Sequence, residues 1–243
     1  MKPSNLAVLY EDTHIIVCIK PPKIATQCSK IGSPDMVSLL KNHLHQKNPS
    51  AGEPYLAVIH RLDQPVSGIL VFAKSPFAAK ELNRQLTSHG FGKHYRALVE
   101  NMPAAPEGTL ENYLVKDART NTSRICTRET PDAKLARLHY TIVKKEQGKL
   151  NWGHIDPGWN QRISENASSP TELDILLDTG RHHQIRVQLA GIGCPIIGDT
   201  KYNPQSKERK EWQNICLCAY KLEFQHPKTH KPMCFELPVE ETK

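Results

Sequence analysis

Three islands of polar and ionisable side chains interrupt an otherwise apolar pattern: HRLD (His60 to Asp63), KHYRALV (Lys93 to Val99) and TGRHHQIR (Thr179 to Arg186). The first runs on as HRLDQPVSGILVFAKS, so Asp63 stands two positions after Arg61 at the mouth of an apolar strand. A carboxylate held at such a mouth can serve as a base or as a nucleophile. The plain alternatives are structural: Asp63 accepts backbone N–H bonds in the turn before Gly68, Tyr95 is a core aromatic, and Arg186 snorkels from a helix. Taken singly, no island decides between chemistry and packing.

The elements that must position these islands follow from periodicity and punctuation. LAVLYEDTHIIVCIKPP reads as two strands around a Glu11-Asp12 turn, stopped by Pro21-Pro22. Ser33-Pro34 then predicts an N-cap and first helical position, with Met36, Leu39, Leu40 and Leu44 as the apolar side of a helix. YLAVIH and SGILVFAK are strands flanking the Arg61 to Val66 loop, and Ser75-Pro76 starts a second helix with Phe77, Ala78, Leu82 and Leu86 as its buried stripe. KHYRALVE is a strand, and LENYLVKD, TSRICTRE and ARLHYTIVKK suggest an antiparallel meander. Gly148 to Pro170 reads as a long surface loop or insertion. TELDILLD is a further strand, RHHQIRVQLAGIG a helix closed by Gly191 or Gly193, and ICLCAYKLEF and KPMCFELP are strands around a QHPKTHK turn. Few helices among many strands predict an α+β fold with a large mixed, mainly antiparallel sheet and flanking helices and loops. With no internal repeat or composition break, a single domain over residues 1–243 is expected.

Composition narrows the class. A chain of 243 residues with 38% hydrophobic residues can bury its own core. Its apolar runs, such as Ile15 to Ile19 and Ile69 to Ala73, fall far short of the roughly 20 residues that cross a bilayer. No secretory signal opens the sequence. Seven cysteines without a Cys-x-x-Cys pair predict reduced thiols and a soluble, cytoplasmic protein, with Cys216 and Cys218 packing into a core. A formal charge of +7 points toward a polyanionic partner, and the stretch from Arg181 to Gly198 carries no acid at all.

Together and in order, the islands resemble the RluA-type family of RNA pseudouridine synthases. HRLDQPVSGILVFAKS is similar to that family's catalytic motif, GKHYRALV to its tyrosine motif, and TGRHHQIRVQLAGIGCPIIGDTKY to its third motif. VLYEDTHIIVCIKPP and LEFQHPKTHKPMCFELP resemble its opening hairpin and closing strands. The resemblance implies the pseudouridine synthase catalytic fold with an active-site cleft across the sheet. It implies Asp63 as the catalytic carboxylate, Tyr95 as the ring stacking beneath the target uracil, Arg186 as the basic partner of Asp63, and Arg61 as the side chain that fills the space a displaced uridine leaves. His60 falls in the same motif and is grouped with the RNA-binding residues. Gln64-Pro65-Val66 departs from the family's more usual residues after the acid. The family's frequent N-terminal S4-type RNA-binding module is expected to be absent.

The implied reaction breaks the N1–C1′ bond of uridine, turns the uracil and rejoins it through C5. Nothing is oxidised or hydrolysed, so neither cofactor nor metal is expected. Desolvation would protonate a lone buried carboxylate, and a guanidinium within about 4–6 Å opposes this. Extruding a base costs a few kcal/mol, and stacking on an aromatic ring returns about 1–3 kcal/mol. Lys93, Arg96, Arg181, Lys201 and the Lys207 to Lys210 run are candidates for phosphates of ribosomal or transfer RNA, with a solvated surface role as their alternative. The Gly148 to Pro170 and Pro204 to Trp212 segments are the candidate discriminators of substrate, and a monomer is expected.

Three other readings compete. The same fold could bind or fold RNA without modifying it. A glycoside hydrolase needs a second acid about 5–10 Å from the first, and Asp178 and Asp199 match no acid–base motif. Metal catalysis through His182-His183 or His226 and His230 is permitted by spacing alone; adjacent histidines on a helix, however, point apart.

Overall fold

The computed structural model describes residues 6–28, 33–88, 90–144, 149–150, 152, 170–208 and 214–240. In chain order it contains strands β1 (Ala7–Glu11) and β2 (Ile15–Lys20), helix α1 (Met36–Lys47), strands β3 (Ala57–Val58) and β4 (Ser67–Ala73), helix α2 (Pro76–Thr87) and strand β5 (Gly92–Val99). Strands β6 (Glu107–Asp117), β7 (Thr122–Cys126), β8 (Lys134–Ile142), β9 (Lys149–Leu150) and β10 (Thr171–Leu177) follow. Helices α3 (Gln184–Gly191) and α4 (Pro204–Glu208) precede β11 (Leu217–Gln225), β12 (Pro232–Glu236) and β13 (Val239–Glu240). This is a mixed α+β chain with a large, mostly antiparallel sheet, the class that the many short strands predict. Among the described residues no helix is long and apolar enough to cross a membrane. The chain forms two compact units, Met1–Gly92 with Ala219–Leu237, and Lys93–Cys218 with Pro238–Lys243.

In the first unit the strands run in the order β1-β2-β4-β11-β12, with β3 also on β4. All seven residues of β4 are buried, as expected of an uninterrupted apolar run covered on both faces. Ile15, Val17, Ile69, Val71 and Leu82 meet in its core. Gly68 lies at φ +130° against the backbone of Ala219, where a Cβ would collide with that strand.

Both helices of this unit begin on a side-chain cap, though not always the expected one. Ser75 accepts from Ala78 N–H at 3.2 Å with Pro76 at the first position, as the Ser-Pro signal predicts. For α1 the cap is Asp35 rather than Ser33: one carboxylate oxygen accepts from Ser38 N–H at 2.7 Å and the other from Cys28 N–H at 2.6 Å. A carboxylate has two oxygens to share between helix and incoming chain, which a serine hydroxyl does not. Phe77 also departs from expectation. It is 52% exposed, outside the stripe of Ala78, Leu82 and Leu86, with Lys228 Nζ 5.7 Å from its ring centroid.

In the second unit the order is β5-β10-β8-β6-β7, antiparallel throughout. The middle strands are therefore not a simple meander. β8 returns to the far edge of β6, pairing from Glu107↔Thr141 to Leu114↔Lys134, because the eleven-residue β6 offers a longer ladder than the five-residue β7. The start of the segment read as a surface loop packs into the fold instead. Leu150 and Trp152 are buried, β9 pairs with β13, and Leu150 N–H donates to Glu172 at 3.2 Å. Residues 153–169 lie outside the described residues.

Helix α3 is buried from Gln184 to Leu189 despite its polar sequence. Gln188 shows part of how: its side-chain nitrogen donates among Leu110 O, Asn112 Oδ1 and Ala136 O at 2.8–3.3 Å, while its buried oxygen accepts no hydrogen bond from the described residues. The helix ends at Gly191, with Gly193 at φ +77°. Cys216 and Cys218 are buried as expected, and none of the seven cysteines is in a disulfide.

Candidate active site

Three of the candidate residues lie on the loop between β3 and β4 of the first unit. Asp63 is half-buried, and its carbonyl accepts Val66 N–H at 3.0 Å, closing the turn that leads into β4. Arg61 is exposed. His60 turns inward instead: Val71 N–H donates to its Nε2 at 3.3 Å and its ring meets Phe91 edge-on. The imidazole thereby takes a place in the β4 ladder.

The strand and helix of the second unit carry the others. Tyr95 is buried on β5 opposite Ile175, and its neighbour Arg96 is buried opposite Asp174. The Arg96 guanidinium faces Asp174 at 3.5 Å and Glu172 at 3.8 Å, so carboxylates of β10 already meet its charge. Lys93 is buried beside Gly180. Burial, the largest influence, pulls its ammonium below the ordinary lysine range; Asp178 pushes it up and Arg181 down. Arg181 itself is exposed and donates from Nε to Leu135 O at 2.8 Å.

The loop before α3 is folded around one amide. Gln184 Oε1 accepts from Thr179 Oγ1 at 2.7 Å and from Arg181 N–H at 3.0 Å, while its Nε2 donates to Arg137 O. His183 then enters the helix at φ +54°, a left-handed conformation, and its ring stacks on His182 with centroids 3.8 Å apart. The two histidines were expected to point apart on a helix. They precede it, and the left-handed backbone brings their rings face to face.

Arg186 does not snorkel. It is 4% exposed, and Nε and Nη2 donate to the two oxygens of Asp199 at 2.8 and 2.7 Å. Such a two-pronged pair fixes the guanidinium plane as well as its position. Asp199 also accepts Lys201 N–H at 3.0 Å, and Arg186 lies 5.2 Å from the centroid of the Tyr202 ring. Ser123 N–H donates to the Tyr202 hydroxyl at 2.6 Å, leaving its proton for His183 Nδ1 at 2.8 Å. Burial, followed by Arg186, His182 and Lys201, pushes His183 down to about 2, so its ring is neutral.

Asp199 and Tyr202 are thus parts of the site that the sequence reading left without a role, although both lie in the quoted third motif. Lys201 donates to Asn121 O at 2.5 Å, and the side chains of the Lys207 to Lys210 run lie outside the described residues. Residues 226–230 form a turn, where His226 Nε2 pairs with Asp12 at 2.7 Å. No group of three or more His, Cys, Asp or Glu among the described residues could hold a metal ion.

Residues 14–191 match the sequence pattern of a family described as RNA pseudouridylate synthase. The chain is 31% identical over 244 residues to a ribosomal large subunit pseudouridine synthase D of Nitrosomonas europaea, covering 96% of this chain and 62% of that protein. It is 27% identical over 239 residues to an uncharacterised RNA pseudouridine synthase of Helicobacter pylori, covering 97% of this chain and 67% of the relative. In fold it is similar to human RNA pseudouridylate synthase domain containing 4, with a TM-score of 0.71, 19% identity, and 96% and 88% of the two chains covered.

Proposed function

The chain belongs to the RNA pseudouridine synthase family, whose members are isomerases, and from that premise we propose that it converts specific uridines of structured ribosomal or transfer RNA to pseudouridine, with Asp63 as the catalytic carboxylate on a flipped-out uridine. The observation that carries this reading is that the matched span, residues 14–191, takes in all three islands. A relative named for the large ribosomal subunit favours ribosomal RNA as the first substrate to test.

In this reading Asp63 either attacks C1′ and displaces the uracil from N1, or takes a proton from C2′ as the N1–C1′ bond breaks; the uracil turns, C5 bonds to C1′ as the Asp63–C1′ ester breaks or as C2′ regains its proton, and the C5 proton leaves while N1 gains one. Tyr95 supplies the face on which the extruded uracil stacks. Arg61, exposed on the same loop as Asp63, fills the space left in the RNA stack. Arg186 partners Asp63 by its motif position, and Asp199, which shares its charge, makes it an oriented donor rather than a bare cation. Lys93 and Arg181 contact phosphates, giving register and affinity without reading bases.

Asp63→Asn tests the core of this. Purified protein is incubated with total RNA from cells lacking it, and pseudouridine is mapped by mass spectrometry. The Asn variant is expected to bind RNA as the parent does while converting uridine at least about a thousandfold more slowly. Conversion at the parent rate would remove Asp63 from the mechanism, and a folded parent protein that binds RNA but converts none would leave an RNA-binding protein.

A further inference from the structure

We propose that Thr26 is a positioning residue for Asp63, locking the loop that carries it; this rests on Asp63 being the catalytic carboxylate. The Thr26 hydroxyl does two things to one residue. It accepts Leu62 N–H at 3.1 Å and donates to Leu62 O at 3.0 Å, and both side chains are buried. The peptide groups on either side of Leu62, the residue before Asp63, are therefore held by a single side-chain oxygen.

The residue after Asp63 is held from the same stretch of chain. Gln64 O accepts from Lys20 Nζ at 3.0 Å, and that ammonium, on a lysine 0% exposed, also donates to Pro21 O at 3.0 Å and Ile24 O at 2.6 Å. Gln64 Nε2 donates to Lys23 O at 3.0 Å, and Lys23 sits at φ +71°, a conformation that a lysine keeps only when its surroundings impose it.

Thr26 is itself fixed by the start of α1. The first amides of a helix have no partners within it. Here Met36 N–H donates to Ala25 O at 2.9 Å and Val37 N–H to Thr26 O at 3.3 Å, while Asp35 grips Cys28 N–H. A rigid helix terminus thus holds Thr26, and Thr26 holds the loop at Leu62. Displacing a reacting group by about 1 Å can cost about a hundredfold in rate, so this frame acts on catalysis rather than on RNA affinity.

Thr26→Val keeps the shape and removes the hydroxyl; Thr26→Ser restores it. With enzyme in excess over total RNA from cells lacking the protein, the rate of pseudouridine formation against enzyme concentration gives a saturating rate and a half-saturating concentration. Thr26→Val is expected to lower the saturating rate by about tenfold to hundredfold, leave the half-saturating concentration within about twofold, and recover to within about threefold of the parent in Thr26→Ser. A folded Val variant at the parent rate, or a Ser variant as slow as Val, overturns the assignment. If thermal melting shows the Val variant unfolded, Gln64→Ala carries the test, because it removes the Gln64–Lys23 strut from an exposed position; a rate equal to the parent's then overturns the frame. Asp63→Asn run in parallel separates the two ideas. An inactive Asn variant beside a fully active Val variant sinks only the positioning role, and an active Asn variant sinks both.

Discussion

Two buried cations, one in each unit, are held by opposite means. Lys20 donates to three backbone carbonyls of the first unit, whereas Arg186 is gripped by the carboxylate of Asp199 in the second. Carbonyl dipoles solvate a charge without cancelling it, and a carboxylate cancels it. The difference teaches what can be exchanged. A cation held by main chain has partners that no substitution can remove; one held by a side chain has a partner that can be replaced together with it.

The largest expected effects break this comparison directly. Arg186→Met leaves Asp199 buried and uncompensated, which should lower stability by about 3–5 kcal/mol. Arg186→Met with Asp199→Leu should recover much of that loss, since an apolar pair of similar volume replaces a buried ion pair at little cost. Lys20→Met strands the three carbonyls to which its ammonium donates and should cost about 3 kcal/mol or more. Urea unfolding of the three variants reads the contrast; a double variant no more stable than Arg186→Met alone would mean that Asp199 is not what makes Arg186 costly to remove.

A smaller effect sharpens the comparison through pH. His183 is neutral beside Arg186, with its folded value pushed from 6.5 to about 2, so the unfolded chain takes up a proton that the folded chain refuses. Its contribution is complete above about pH 6.5 and is lost progressively as pH falls below it, at up to about 1.4 kcal/mol per unit. His183→Asn keeps a side chain that tolerates the left-handed backbone and removes the titration. Amide exchange in α3 at pH 7 and pH 5 should show a pH-dependent loss of protection in the parent that the Asn variant lacks. Equal slopes in the two proteins would show that His183 is not the group that titrates.

The same contrast explains what the sequence could and could not reveal. Local signals were legible: Ser75-Pro76 opens α2, the apolar run of β4 is buried throughout, and Gly191 ends α3. What needed three dimensions was partner choice. Nothing in the order of β6, β7 and β8 says that the third strand returns to the first, because ladder length decides it and the turn does not. Asp35 displaced Ser33 as the cap because Cys28, a neighbour only in space, shares its carboxylate. At the site, the resemblance to a known family pointed to Arg186 but not to how Asp199 holds it, thirteen residues on. Lys20 and Thr26 are invisible to spacing because they act through backbone atoms, which carry no sequence signature.

The mildest expectation concerns the ionic device that the first unit carries at its surface. Burial raises Glu11, but hydrogen bonds from Lys47 at 2.6 Å, Lys74 at 2.9 Å and His43 at 3.0 Å outweigh it and bring the carboxyl from 4.5 down to about 2. For an acid lowered on folding, the stabilisation is complete above about pH 4.5 and fades as pH falls toward 2. Its onset therefore lies some two units below that of His183, and the two units of the molecule should lose protection in separate pH windows. Lys47 is largely exposed, so solvent screens its share, and Glu11→Gln should cost only about 1 kcal/mol at pH 7, less in high salt. Amide exchange in β1 and β2 at low and high salt measures this. A Gln variant whose deficit ignores salt would place the value of Glu11 in its hydrogen bonds rather than in its charge.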